Sequence, residues 1–206
     1  MVLARLSRPR FLRGPALERP LVAPVIRTPR LELRPHRLED GPDWYALQTN
    51  PDVLRYLDWP QRSPEESFEH LAHRTRHTVL AQRDDFLALA VDRDGHLVGD
   101  IGLHLREVEE PERAVEISWI IDPRQSRRGL ATEAATAALD LVFDELHAKR
   151  VIAKIDPENK RSIALARRLR FRKTAVDTYV TTPELREGTG PSAVVPARGE
   201  GDDRAA

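Results

Sequence analysis

Between Val115 and Leu146 the apolar residues change period once, and that change restricts the fold more than any other feature of the chain. Val115, Ile117, Trp119 and Ile121 alternate, as the buried face of a strand does. Leu130, Ala134, Ala138, Val142 and Leu146 recur instead at helical spacing. A short basic loop from Asp122 to Arg128, closed by Gly129, separates the two patterns. RVIAKID, from Arg150, then reads as another strand, and Asn159 opens a shorter helix through Leu165 and Leu169. Phe171 and the stretch from Thr174 to Thr182 supply the last strand or strands.

Upstream the periods are mostly those of antiparallel pairing. VIRTPRLELRP reads as a first strand, with Leu31 and Leu33 alternating with Glu32 and Arg34. Asp43 is placed to cap a short helix through Trp44, Tyr45 and Leu47, and a second short helix follows Asn50-Pro51. Ser63-Pro64-Glu65-Glu66 is a capping box, and its helix is expected to run through Phe68, Leu71, Val79 and Leu80. FLALAVDRDGHLVGDIGLHLRE reads as two strands joined at Asp94-Gly95. Antiparallel strands followed by strand-helix-strand-helix-strand give an α/β domain, a mixed and mostly antiparallel sheet with helices on both faces.

A length of 206 residues suits one domain. The expected division is a flexible basic leader over 1–24, a folded domain over 25–181 and a disordered tail over 182–206. Basic and acidic residues number 33 each, so the chain has no net positive field for nucleic acid. A third possibility, RNA contact through the leader, therefore has little behind it. The chain has no cysteine, which excludes disulfides, thiolate metal ligands and a cysteine nucleophile. Apolar runs are too short to span a bilayer, and the basic start lacks the apolar stretch of a secretory signal. A cytoplasmic monomer or homodimer without a membrane anchor is the expectation.

The loop before Gly129 is the candidate binding site. Free N–H groups at a helix start bind phosphate oxygens, glycine lets a ligand approach the backbone, and Arg124, Arg127 and Arg128 add charge. Neither a P-loop nor a dinucleotide fingerprint is present, so a pyrophosphate site and an ordinary strand-to-helix turn both remain open.

Ser126-Arg127-Arg128-Gly129-Leu130-Ala131, followed by Thr132-Glu133-Ala134, resembles the acetyl-CoA loop of the GNAT acetyltransferases. Four further segments resemble, in order, the branch containing the ribosomal-protein N-terminal acetyltransferases. They are RTPRLELRP, Gly99 to Leu103, Glu116 to Ile120, and Asn159-x-x-Ser162 with Leu169-Arg170-Phe171. The resemblance covers roughly residues 25–175. Ser126 stands where the family has Gln or Arg, Arg127 and Arg170 where glycine is common, and Ala166 where many relatives carry tyrosine.

What the resemblance implies is an N-acetyltransferase that passes the acetyl group of acetyl-CoA directly to an amine, a protein N-terminus or a small molecule, without a metal. It implies that Ser126, Arg127, Arg128, Gly129, Leu130, Ala131 and Thr132 hold the pyrophosphate. Asn159 and Ser162 would bond the coenzyme arm, and backbone N–H groups on the strand of Trp119, Ile120 and Ile121 would polarise the thioester. Asn159 is equally placed to cap its helix.

Glu116 lies on the strand face of Ser118 and Ile120, where a carboxylate is costly unless it meets water or a cleft. It is the candidate general base, a solvent-facing residue being the plainer reading. With Ala166 in the tyrosine position, Ser162 is one candidate to assist the leaving thiolate.

His70, His73 and His77 recur at helical spacing, more as a solvated or cleft-lining face than as a zinc site. Asp100 and His104 share a strand face that alternation makes polar and wet. Trp44, Tyr45, Tyr56 and Trp59 read mainly as core, with one or two lining an acceptor groove. The departures in the loop leave a second function open, a non-catalytic module of the same fold that binds acyl-CoA.

Overall fold

The alternating runs form the middle of an eight-stranded sheet in a computed structural model that describes residues 14–187. In chain order the strands are β1 (Ala16–Val22), β2 (Ile26–Arg27), β3 (Glu32–Pro35), β4 (Val79–Gln82), β5 (Phe86–Arg93), β6 (His96–Glu107), β7 (Ala114–Ile121), β8 (Arg150–Lys154), β9 (Arg172–Lys173) and β10 (Thr178–Thr181). The α-helices are α1 (Gly41–Gln48), α2 (Pro51–Leu54), α3 (Pro64–Arg74), α4 (Leu130–Asp140), α5 (Lys160–Arg168) and α6 (Pro183–Glu187). The sheet order is β2-β3-β5-β6-β7-β8-β10-β9, and β1 pairs with β4 in a separate ribbon. Among the described residues β7–β8 is the one parallel pair, made through the α4 crossover.

Each sheet face buries its own cluster. Leu87, Leu89, Ile101, Leu103, Val115 and Ile117 pack with Leu130, Ala134 and Ala138 of α4 and Leu165 of α5. The opposite face packs Ala90, Leu97 and Ile120 against Trp44, Leu47 and Leu71. A π-helical turn, Leu141–Glu145, continues α4 and keeps Val142 and Leu146 buried, so the helical stripe read from the sequence holds along its whole length. Asp94 and Gly95 both have positive φ, 55° and 84°, as a two-residue hairpin turn requires.

Several expectations need correction. Residues 16–22 are a strand, not part of a flexible leader, and residues 183–187 form a helix inside the expected tail. Residues 1–13 and 188–206 lie outside the described residues. The helix begun by the Ser63 capping box stops at Arg74, and Val79–Gln82 is a strand. The errors at residues 16–22 and 79–82 share a cause: β1 offers Val79 and Leu80 the partners Val22 and Leu21, and that pairing overrides the local period.

VIRTPRLELRP is two strands, not one. Pro29 presets a turn closed by the Thr28 amide, which donates to the Leu31 carbonyl at 2.9 Å.

 The alternation that put Arg34 outward also fails: Arg34 is 2% exposed and pairs with Asp40 at 2.6 Å and Asp92 at 2.8 Å. Asp43 does not cap α1; it lies in the first turn and accepts the Leu97 amide at 3.0 Å, tying α1 to the sheet.

Asp100 is the remaining correction on this face. It is not on a wet surface but 2% exposed, bonded to His36 at 2.7 Å and to the Arg74 guanidinium. Burial alone would raise its carboxyl; Arg74 and His36 overcome that and hold it down at about 2. The folded value therefore lies below the ordinary carboxylate value. The group contributes roughly 2–3 kcal/mol that is fully present above about pH 4 and is lost as pH falls towards 2. Asp100→Asn leaves Arg74 buried without a counter-charge, and urea unfolding at neutral pH is expected to show a loss of about 3–5 kcal/mol. The variant's stability should also change less than the wild type's between pH 4 and pH 2.

Candidate functional site

β7 and β8 separate partway along their length. They pair at Ala114↔Arg150, Val115↔Val151 and Glu116↔Ile152. Beyond that point β7 follows β6 as far as Gly99↔Ile121, while β8 stays with β10. Asp122 donates its amide to the Val98 carbonyl at 2.9 Å, on the β6 side. Alternation then aims the amides of Trp119 and Ile121 into the opening, where β8 provides no paired carbonyl. An amide placed this way can donate to a carbonyl oxygen that enters the gap.

The α4 start lies beyond the open end of β7. Gly129 is its N-cap, left-handed at φ 77°, and Arg127 is left-handed at φ 62°. The resemblance has a glycine at the Arg127 position, and the backbone here still takes the conformation that glycine favours. The first amide of α4 with a backbone acceptor is that of Glu133, bonded to the Gly129 carbonyl at 3.0 Å. The amides of Arg127, Arg128, Gly129, Leu130, Ala131 and Thr132 have no acceptor among the described residues. Such a run of free N–H groups can hold a pyrophosphate.

The arginines divide unequally. Arg124 is bound to Asp122 at 2.6 Å, so its charge is largely matched, contrary to its expected place beside the other two. Arg127 is exposed and has no partner among the described residues, and Arg128 reaches only the Gln125 side chain, at 3.4 Å. Ser126 is half-buried at the loop's middle.

Sequence reading missed the brace that holds this loop. Arg30 donates to the Arg128 carbonyl at 2.7 Å and to Glu133 at 2.7 Å, and the Thr28 hydroxyl donates to Glu133 at 2.6 Å. The signal was present, since Thr28, Arg30 and Glu133 all lie within quoted motifs, but nothing in either motif says that the two meet.

On α5, Asn159 Oδ1 accepts the Ser162 amide at 3.0 Å, so the capping reading holds while its side-chain N–H groups stay available. Trp119 Nε1 donates to Ser162 Oγ at 3.2 Å across the opening, leaving the Ser162 proton free to donate. Thr132 Oγ1 accepts from Arg168 at 3.0 Å, joining the start of α4 to the end of α5. Ala166 is fully buried. Arg170, at φ 66°, closes α5 with the Arg170 amide on the Arg167 carbonyl and the Phe171 amide on the Ala166 carbonyl. That cap favours glycine, the residue expected there from the resemblance.

Across the sheet, Glu116 marks the last paired position before the opening. Its Oε2 accepts from Arg106 Nε at 3.1 Å, and its Oε1 has no partner among the described residues. His104 lies opposite in register; burial, reinforced by Arg106, pushes its imidazole down to about 4, so it is neutral at pH 7. Gly102 makes room for its neighbours: a Cβ there would lie 2.6 Å from Ser118 Oγ and 2.7 Å from the Phe86 ring. The three histidines do not form one face. His73 and His77 meet at 3.0 Å, whereas His70 turns to Gln48 and stacks on Trp44. Trp44 is core, and Trp59 and Ile120 are half-buried on the same cluster. The opening thus joins two faces, with Trp119, Ser162, Asn159 and the α4 start on one and Glu116 and Ser118 on the other.

Among the described residues no group of His, Cys, Asp and Glu gathers as a metal site, and no helix is long and apolar enough to cross a membrane. The acetyltransferase (GNAT) domain family matches residues 30–172. Spermidine N(1)-acetyltransferase of Escherichia coli (strain K12) is 31% identical over 141 residues, 68% of this chain and 72% of that protein. An acetyltransferase (GNAT family) crystal structure from Bacillus anthracis superposes with TM-score 0.64 at 23% identity, covering 78% of this chain and 99% of the other. RimL, a ribosomal L7/L12 alpha-N-protein acetyltransferase, shares the fold at TM-score 0.59 and 19% identity, over 78% of this chain and 93% of its own. Motif order, the parted strands and the family match agree, and the chain belongs to the GNAT acetyltransferases.

Proposed function

We propose that the protein transfers the acetyl group of acetyl-CoA directly to an amine, the acceptor being a peptide N-terminus or a small molecule. One observation carries this: an opened strand edge with inward amides leads straight to a run of unbonded amides at a helix start. The residues fit the co-substrate. Ser126, Arg127, Arg128, Gly129, Leu130, Ala131 and Thr132 would hold the pyrophosphate through backbone N–H groups, with the Arg127 charge in addition. Asn159 and Ser162 would bond the coenzyme arm.

Acetyl-CoA supplies an acyl carbon already activated as a thioester. The amides of Trp119 and Ile121 stabilise charge that develops on its oxygen, and Ile120 between them keeps the strand apolar. Glu116 takes the proton of the attacking amine at Oε1, directly or through a water, while Arg106 fixes its other oxygen. Ser162, whose hydroxyl proton is left free by the Trp119 contact, would assist the leaving thiolate.

Incubating the full chain with acetyl-CoA and a panel of amines, and following free CoA thiol, tests the reading. Amine-dependent thiol release with a matching acetylated product is expected. Coenzyme binding without turnover on any amine contradicts it.

A further inference from the structure

Two hydrogen-bond donors on the acceptor side have nothing to bond, and they flank one aromatic ring. Arg62 Nη1 is buried without a hydrogen-bond partner, and its guanidinium lies 5.7 Å from the Trp59 ring centroid. Glu66 acts on the guanidinium charge from a distance but spends Oε2 on the Ser63 amide at 2.8 Å and makes no hydrogen bond to Arg62. His70 packs edge-on against the same ring at 5.8 Å.

The proton on His70 is placed by a chain of bonds. Ser67 Oγ donates to Gln48 Oε1 at 2.7 Å, and Gln48 Nε2 then donates to His70 Nδ1 at 2.8 Å. The remaining proton of the neutral ring is therefore on Nε2, which has no acceptor among the described residues. Burial, with Arg62 and Arg74 beside it, pushes this imidazole down to about 4 and keeps it neutral.

Trp59 and Ile120 pack on the same cluster, and Ile120 shares its strand face with Ser118 and Glu116. Two residues of strand separate Ser118 from Ile120, about 7 Å. The donors thus lie beside the path an acceptor takes to Glu116. The carboxylates of that sheet face already meet cations: Asp92 meets Arg34, Asp100 meets Arg74, and Glu116 meets Arg106 through Oε2, its Oε1 being left for the reacting amine.

We propose that Arg62 and His70 form a carboxylate subsite on Trp59, and that the acceptor is an amine bearing a carboxylate close to its nitrogen. This rests on the acetyl-transfer reading above and goes beyond it by naming the acceptor class. A polycation such as spermidine meets Arg62 and Arg106, and beyond the Glu116 Oε1 that serves the reacting nitrogen it gains no ion pair on the sheet face itself. Asp58, exposed beside Trp59, is the nearest group in sequence that could favour one.

The test is steady-state kinetics of the full chain on four acceptors: a peptide with acidic residues at positions two and three, its amide counterpart, free aspartate and spermidine. A carboxylate acceptor is expected to exceed the amide peptide at least ~10-fold in kcat/KM. The peptide and aspartate arms separate an acidic N-terminus from a free amino acid as the source of the carboxylate. Arg62→Gln is expected to remove that preference through KM, leaving the KM for acetyl-CoA and the rate on the amide peptide unchanged. His70→Gln, which keeps an N–H donor, should retain more of the preference than His70→Ala.

Equal slowing of acidic and amide peptides in Arg62→Gln would make Arg62 structural and overturn the proposal. So would preferred turnover of spermidine that falls in Asp58→Asn. Both of those outcomes leave acetyl transfer standing. Coenzyme binding with no turnover on any amine instead overturns the transfer reading, and this one with it.

Discussion

Gly129→Val is expected to weaken acetyl-CoA binding more than ~100-fold while the chain still folds. Gly129 sits at φ 77°, a conformation that costs a β-branched residue about 1–2 kcal/mol or more. A Cβ there would touch Arg30 Nη2 at 3.4 Å, and the two methyl groups of valine would extend beyond it beside the guanidinium that braces the loop. The new side chain also stands among the unbonded amides, where a phosphate oxygen has to approach. Hydrogen bonds to a charged group contribute about 1.5–3 kcal/mol each, so losing two of them gives an effect of this size. Calorimetric titration with acetyl-CoA measures it, and a circular dichroism melt checks that the variant is folded. Unchanged affinity in a folded variant would show that the coenzyme is held elsewhere.

Glu116→Gln is expected to lower kcat by about 10²–10⁴, the range of a general base, without changing acetyl-CoA affinity. The amide keeps the shape of the side chain, and its oxygen can still accept from Arg106 Nε, now 3.1 Å from Oε2. What it loses is the capacity to take a proton. Arg106→Gln serves as the companion variant: it removes the positioning contact and leaves the carboxylate in place, so a smaller fall in kcat is expected. Comparable activity in Glu116→Gln and wild type, on an amine the wild type turns over, assigns the proton to another group.

The fold was legible wherever one segment's own period decided its state. β5, β6, β7, α4 and α5 follow from alternation, helical spacing and cap residues, because each buries one face of a local pattern. It was illegible where a distant partner decided. β1 carries Pro20 and two adjacent charged residues, Glu18 and Arg19, in no regular alternation, and it is a strand because Val79 and Leu80 pair with it. Arg34 and Asp100 looked outward by alternation, yet each is buried because a counter-charge lies on another element.

The candidate site divides in the same way. Gly129 and the loop before it could be read because a strand, a glycine and a helix are consecutive in sequence. The parting of β7 from β8 could not, since it depends on β8 staying with β10. The same holds for the Arg30–Glu133 brace, whose residues lie far apart in the chain. Arg62 carried no signal at all, because its significance is the missing acceptor and not the residue type.

Amide hydrogen exchange, followed with and without CoA, tests the central claim most directly. The account expects slowed exchange at Arg127 to Thr132 and at Trp119 and Ile121, with little change at the far edge on β2 and β3. Exchange at those amides that is as fast with saturating CoA as without it contradicts the account.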